Sequence, residues 1–335
     1  MGIATLERMA LKTFGFHAVR WCVVLGCLML SASCGFAQTN ENRTLILVVG
    51  APGEEEWGRQ FGESAELWKA AAAKGGFKIS IIGEQTNNAV VDRSLFLTAL
   101  TNESIGDGEL WVVLIGHGTF DGKVAKFNLR GPDLSADELA SHLKATQRPL
   151  AVINCASASG PFLNALSGPG RVIITATRSG YELNVTRFGD YFAKAVADPE
   201  ADLDKDGQTS LLEAYLMASR QVDQFYREAG RLATEHALLD DNGDRLGTPA
   251  EWFVGVRAVK KPETGKAIDG LRAHQLNLVR GTEERQLTSG QRARRDFLES
   301  ELNALRERKS AMAEDEYYQL LEKLLLEVAR LYEGT

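Results

Sequence analysis

The chain has 335 residues, 44% of them hydrophobic and 25% charged, enough to bury a full core in one large domain with an appendage. A formal net charge of −7 argues against a nucleic-acid partner, which calls for a basic footprint. The four cysteines are unevenly placed: Cys22, Cys27 and Cys34 lie near the N-terminus, and Cys155 stands alone beyond them.

Arg8, Lys12 and Arg20 lead into the short apolar run WCVVLGCLMLSASC, and small residues follow up to Ala37. This is the layout of a secretory signal peptide over residues 1–37. Its apolar core is too short to span a bilayer comfortably. Lipidation at Cys34, with membrane attachment, is the alternative, although Ser31 stands where such signals carry a leucine-like residue; a retained anchor is the third. All three imply export to a periplasmic or extracellular setting. Cleavage would leave Cys155 as the single thiol, so no intramolecular disulfide could form.

From residue 38 to about 258, apolar runs alternate with amphipathic stretches, the pattern of a mostly parallel α/β sheet with helices on both faces. TLILVVG (44–50), FKISIIG (77–83), ELWVVLIG (109–116), PLAVIN (149–154) and RVIITAT (171–177) read as strands. The last three are almost continuously apolar, as strands buried on both faces are. ESAELWKAAAAKGG reads as a helix stopped by paired glycines. SADELASHLKA, with Ser135 and Glu138 in capping-box positions, reads as a crossover helix. The loop GAPGEEEWG is glycine-rich, but it lacks a nucleotide fingerprint and its three glutamates would repel a pyrophosphate. Residues 259–335 shift to charged segments with Leu298, Leu302, Leu305, Leu321, Val328 and Leu331 at helical spacing. They predict a helical hairpin or coiled coil, broken near Ser310 to Asp315, suited to packing, to self-association or to covering a site.

Two strand ends carry chemistry. His117 follows an apolar strand between Gly116 and Gly118, and Cys155 follows another. In an open parallel sheet, residues just past the carboxyl ends of strands share one edge. A cysteine nucleophile needs a base, and of the five histidines His117 is the one placed to serve. His142 lies within an amphipathic helix, His236 in TEHALLDDNGD is structural or near a loop, and His17 and His274 lie in the two ends of the chain. The N–H groups of Gly118 and Cys155 are candidate oxyanion donors.

An apolar strand ending in His-Gly, then another ending in a cysteine followed by small residues, resembles the caspase-like clan of cysteine peptidases. The segment CASAS, with Cys155, Ser157 and Ser159, resembles the C-x-S-x-S form of the legumain family, and His117 with Gly118 matches its His-Gly. The likeness covers about residues 44–255. It implies a caspase/legumain-like sheet and hydrolysis of peptide bonds, with Cys155 as nucleophile and His117 as general base. Two departures are Ala156, where legumains carry an acid, and GAPG, where they carry an asparagine that backs the histidine. Arg59, Arg178, Ser179 and Glu182 are candidate substrate-pocket residues.

DLDKDGQTSLLE, Asp202 to Glu213, fits a twelve-residue EF-hand loop. Asp202, Asp204 and Asp206 take positions one, three and five, Gly207 the turn, Gln208 the backbone carbonyl, Ser210 position nine and Glu213 the closing carboxylate. Calcium as a structural cofactor is the expectation. DDNGDRLGTPAE, with Asp240, Asn242, Asp244, Thr248 and Glu251, is a weaker copy that has Arg245 where glycine belongs, and whether it takes a second ion is open. The alternative to a calcium-stabilised peptidase is a non-catalytic calcium-binding interaction protein that assembles through its tail.

Overall fold

The computed structural model describes residues 42–84, 91–261 and 267–333, so the segment read as a signal peptide, with Cys34, lies outside the described residues. Six strands form the central sheet: β1 (Thr44–Val49), β2 (Lys78–Ile82), β3 (Leu110–Ile115), β7 (Leu150–Asn154), β8 (Arg171–Thr175) and β9 (Leu238–Asp240), in the order β2-β1-β3-β7-β8-β9. The first five are the expected ones and pair in parallel; β9, three residues long, adds an antiparallel edge to β8. Its brevity, inside an Asx-rich stretch, hid it from the pattern.

Continuous apolar strands need cover on both faces, and alternation divides them cleanly. Leu45, Leu47, Trp111, Val113, Ala151 and Ile153 pack against α1 (Glu55–Lys74), α5 (Phe188–Ala195) and α6 (Leu211–Glu228). Ile46, Val48, Leu110, Val112, Leu114, Leu150 and Val152 pack against α2 (Asp92–Asn102), α3 (Ala136–Leu143) and α4 (Gly160–Leu166). α1 begins at Glu55, inside the glycine-rich stretch read as a loop, because acidic residues suit the first turn of a helix. At α3 the Ser135 side chain accepts from the Glu138 N–H, while the Glu138 carboxylate turns to Arg93, so the predicted box is half made.

Three short strands, β4 (Gly118–Phe120), β5 (Ala125–Phe127) and β6 (Leu134–Ser135), form an antiparallel sheet that starts directly after His117. β10 (Phe253–Val254) and β11 (Arg257–Ala258) make a small hairpin. The helical end comprises α7 (Leu271–Gln275), α8 (Ser289–Glu307) and α9 (Glu314–Tyr332). Leu298, Leu302 and Leu305 are buried, and the break falls at 308–313. No helix among the described residues is long and apolar enough to cross a membrane.

Trp68 of α1 is fully buried, stacked on Phe192 of α5 at 5.8 Å and edge-on to Trp111 of β3. Trp68→Ala is expected to lower the unfolding free energy by about 3 to 5 kcal/mol. Denaturant titration checks this, and a loss under about 1 kcal/mol would contradict the packing.

Candidate active site

β3 and β7 are neighbours, with Leu114 opposite Asn154. The alternation that sends Val113 and Ile115 toward α1 also sends His117 there, and Cys155 follows Ala151 and Ile153 to the same layer. The imidazole lies edge-on to Trp57 and Phe61, one helical turn apart on α1, with centroids at 5.8 and 5.1 Å. Its Nε2 is 3.1 Å from the carbonyl oxygen of Pro52. A carbonyl only accepts, so Nε2 donates there, which in the neutral ring leaves the lone pair on Nδ1. The GAPG loop thus supplies a backbone acceptor where the resembled family uses an asparagine side chain. Any residue type has a carbonyl, so no sequence signal marked Pro52.

Cys155 is 4% exposed. A Cβ on Gly189 of α5 would stand 2.7 Å from its Cβ and 3.3 Å from its Sγ, so the thiol packs against bare helix backbone. Burial pushes the thiol pKa far up, and the nearby Asp190 carboxylate adds to the shift. Asp190 is itself raised, by burial first, against the Ser64 hydrogen bond and the charges of Lys194 and Arg187. Its oxygens accept from Ser64 Oγ at 2.7 Å and from Gln60 Nε2. One side of α1 therefore meets both the histidine, through Trp57 and Phe61, and the acid beside the thiol, through Gln60 and Ser64. Asp190 carried no signal in the sequence because nothing local links it to Cys155.

The two loops are joined by the Ser157 hydroxyl on the Gly118 backbone. Gly118 N–H donates to Ser157 Oγ at 3.1 Å, and Ser157 Oγ–H donates to the Gly118 carbonyl at 3.1 Å. A Cβ at position 118 would lie 2.1 Å from the Ser157 carbonyl oxygen, so this approach requires glycine. The expectation that Gly118 and Cys155 offer oxyanion donors is corrected here. Gly118 N–H is taken by Ser157, and Cys155 N–H continues the sheet to the Leu114 carbonyl at 2.9 Å. Among the suggested pocket residues, Arg59 is exposed and pairs with Glu55, while the Glu182 carboxylate is occupied by Arg178 and by His236, whose Nδ1 lies at 2.6 Å. His142 is exposed on α3.

In the acidic loop, oxygens of Asp202, Asp204 and Asp206 lie within 4.8 Å of one another. Asp202 accepts from Lys205 N and Gly207 N, Asp204 from Asp206 N, and Asp206 from Gln208 N. Gln208 extends its amide to Asp206 and accepts from Gly281 N. Glu213 reaches back across the loop: it groups with Asp204 and His274 and accepts from Leu203 N and from Ser210 N and Oγ. His274 Nε2 is 2.9 Å from Asp204, and this hydrogen bond holds the Asp204 carboxyl below its ordinary pKa against the opposing effect of burial. Hard carboxylate oxygens on a tight turn suit a hard cation such as calcium. The weaker copy repeats the turn: Asp240 accepts from Gly243 N and Arg245 N, Asn242 from Asp244 N, and Asp244 from Leu246 N. Arg245 adopts φ 69° where Gly207 has 86°, so an arginine fills the left-handed place expected of glycine.

No protein-family model matches the sequence, and no curated protein matches it. Among solved structures the chain is similar to the Drosophila initiator caspase Dronc, with 11% identity over 61% of this chain and 81% of that one, at a TM-score of 0.37. It is likewise similar to caspase-1 from Spodoptera frugiperda, with 12% identity over 62% and 89%, at a TM-score of 0.39.

Ser157→Ala strands two buried backbone groups of Gly118 and is expected to destabilise the fold by about 1 to 3 kcal/mol, measured by denaturant titration. An unchanged midpoint would sink this account of the junction. Cys155 also sets a pH slope. Above about pH 8.5 an unfolded cysteine loses its proton. The folded chain keeps that proton because burial raises the thiol pKa, so stability falls as pH rises beyond that point. Stability measured from pH 7 to 10 should decline less in Cys155→Ala than in the native protein.

Proposed function

We propose that the chain is a cysteine peptidase of legumain-like type, with Cys155 as nucleophile and His117 as base. The observation that carries the reading is the His117 ring, fixed by the Pro52 carbonyl with Nδ1 free, on the same sheet face and the neighbouring strand end to Cys155. In this scheme Nδ1 takes the thiol proton as Sγ attacks the peptide carbonyl carbon. The tetrahedral intermediate expels the amine, which receives that proton from His117. Water, deprotonated by His117, then cleaves the thioester and regenerates the thiol. With the N–H groups of Gly118 and Cys155 engaged, the oxyanion has to draw on another donor or on a shift of these loops when substrate binds.

Calcium on the Asp202–Glu213 loop fits this reading as a structural staple at the start of α6, and export, as the layout of residues 1–37 suggests, would supply it. Peptides or proteins are the proposed substrates. The exposed Tyr318, Leu325 and Leu326 of α9 fit self-association through the helical end. One observation favours a second reading, a non-catalytic calcium-binding interaction protein: the thiol is buried and held protonated.

Cleavage of a broad peptide library, before and after alkylation of the native thiol, separates the two. Cys155→Ala is expected to abolish cleavage and His117→Ala to lower it by about 10²- to 10⁴-fold; cleavage undiminished in Cys155→Ala would remove the peptidase reading. For the ion, calcium at about a hundred times its Kd should add about 2.7 kcal/mol of stability. Thermal melts with calcium and with chelator test this, and a shift that persists in Asp202→Asn with Asp204→Asn would place the ion elsewhere.

A further inference from the structure

The loop 176–187 between β8 and α5 lies against the turn that follows Cys155. Ala158, buried and without the freedom of glycine, is held at φ 54°. Its N–H donates to the Glu182 carbonyl at 2.8 Å, and Thr186 Oγ1 donates to the Cys155 carbonyl. Thr177 Oγ1 accepts from Gly160 N at 3.0 Å, and Ser159 Oγ accepts from Thr177 N at 3.1 Å. The loop itself is poorly covered, with Tyr181 and Leu183 exposed, so it needs an anchor of its own.

Two adjacent residues from the connection between α6 and β9 supply that anchor. His236 Nδ1 meets Glu182 Oε1 at 2.6 Å; a carboxylate only accepts, so Nδ1 donates. The Glu235 carboxylate accepts from Arg187 N at 2.9 Å and Phe188 N at 3.0 Å, at the exit of the same loop. Glu182 is thus gripped by its side chain while its carbonyl grips Ala158.

We propose that the Glu182–His236 pair is a positioning device for Cys155, holding the left-handed turn at Ala158 and with it the loop that presents the thiol. The proposal deepens the reading of Cys155 as nucleophile and rests on it for its consequence in catalysis. Glu182 then serves the nucleophile loop and not the substrate: its carboxylate is already engaged by Arg178 and by His236.

His236→Ala and His236→Asn in the full chain test this, since the asparagine Nδ2–H stands near the place of the imidazole Nδ1–H. Amide hydrogen exchange over residues 155–160 should accelerate about tenfold or more in His236→Ala and return toward the native rate in His236→Asn. In peptide cleavage, kcat should fall about tenfold or more in His236→Ala with KM within about twofold, again restored by asparagine. Adding Ala158→Gly, which accepts the left-handed turn freely, should recover part of the loss. Unchanged exchange in His236→Ala overturns the proposal, as does a rise in KM at constant kcat, which would make Glu182 a substrate contact. Native protein that cleaves nothing would remove the peptidase reading instead, and the exchange measurement would still decide whether the pair holds the turn.

Discussion

The parallel register of β3 against β7 is the constraint on which the candidate site depends. With Leu114 opposite Asn154, side-chain alternation brings His117 and Cys155 to one face of the sheet at neighbouring strand ends. A slip of one residue would send one of them to the opposite layer. The register is locked beyond the strands by Gly118 and Ser157, whose backbones approach too closely for any side chain at 118. The glycine after the histidine is therefore a docking residue for the cysteine loop. That role explains its place without asking its N–H to meet a substrate.

α1 organises the two sides of the site differently. Its aromatic residues Trp57 and Phe61 orient the imidazole, while Gln60 and Ser64 bind Asp190 close to the thiol. Reactive cysteines ordinarily sit beside cations or a helix N-terminus that favour the thiolate. Cys155 has a carboxylate and a dry packing instead, and both keep the proton on sulfur. If the residue is a nucleophile, its deprotonation has to accompany attack, with His117 accepting the proton in that step instead of resting as one half of an ion pair. A thiol protonated at rest also resists oxidation, which follows thiolate character and exposure. The burial that favours a non-catalytic reading is thus equally a protection for a thiol kept for catalysis.

The five parallel strands were legible because each is a local, nearly continuous apolar run, and two buried faces leave no other way to write them. Those runs also placed His117 and Cys155 at strand ends, and counting alternate residues from Trp111 and Ala151 would have put both on one face. What escaped is non-local or carries no residue signature. Pro52 acts through a carbonyl that every residue has. Asp190 belongs to a segment whose approach to Cys155 follows from packing and from no local pattern, and Glu182, singled out as a pocket residue, meets the cysteine turn through a backbone carbonyl. β9 is too short for a periodic signal, and its partner β8 lies more than sixty residues earlier in the chain.

Two histidines without an obvious task in the linear chain turn out to join distant parts of it, and both attachments involve α6. Ahead of its first turn, His274 binds Asp204 while Asn277 bridges to Ser210 and Leu276 accepts from Leu211 N. Beyond its last turn, Glu235 and His236 fasten the loop that covers the cysteine turn. An 18-residue helix about 27 Å long links these attachments as a stiff strut, its inner side filled by Leu212, Tyr215, Ala218 and Val222. An ion on the acidic loop would therefore fix the start of a helix whose far end leads into the contacts that hold the loop beside Cys155. Its influence on the site would pass through the stability of α6 alone, with no need for a change of shape at either end.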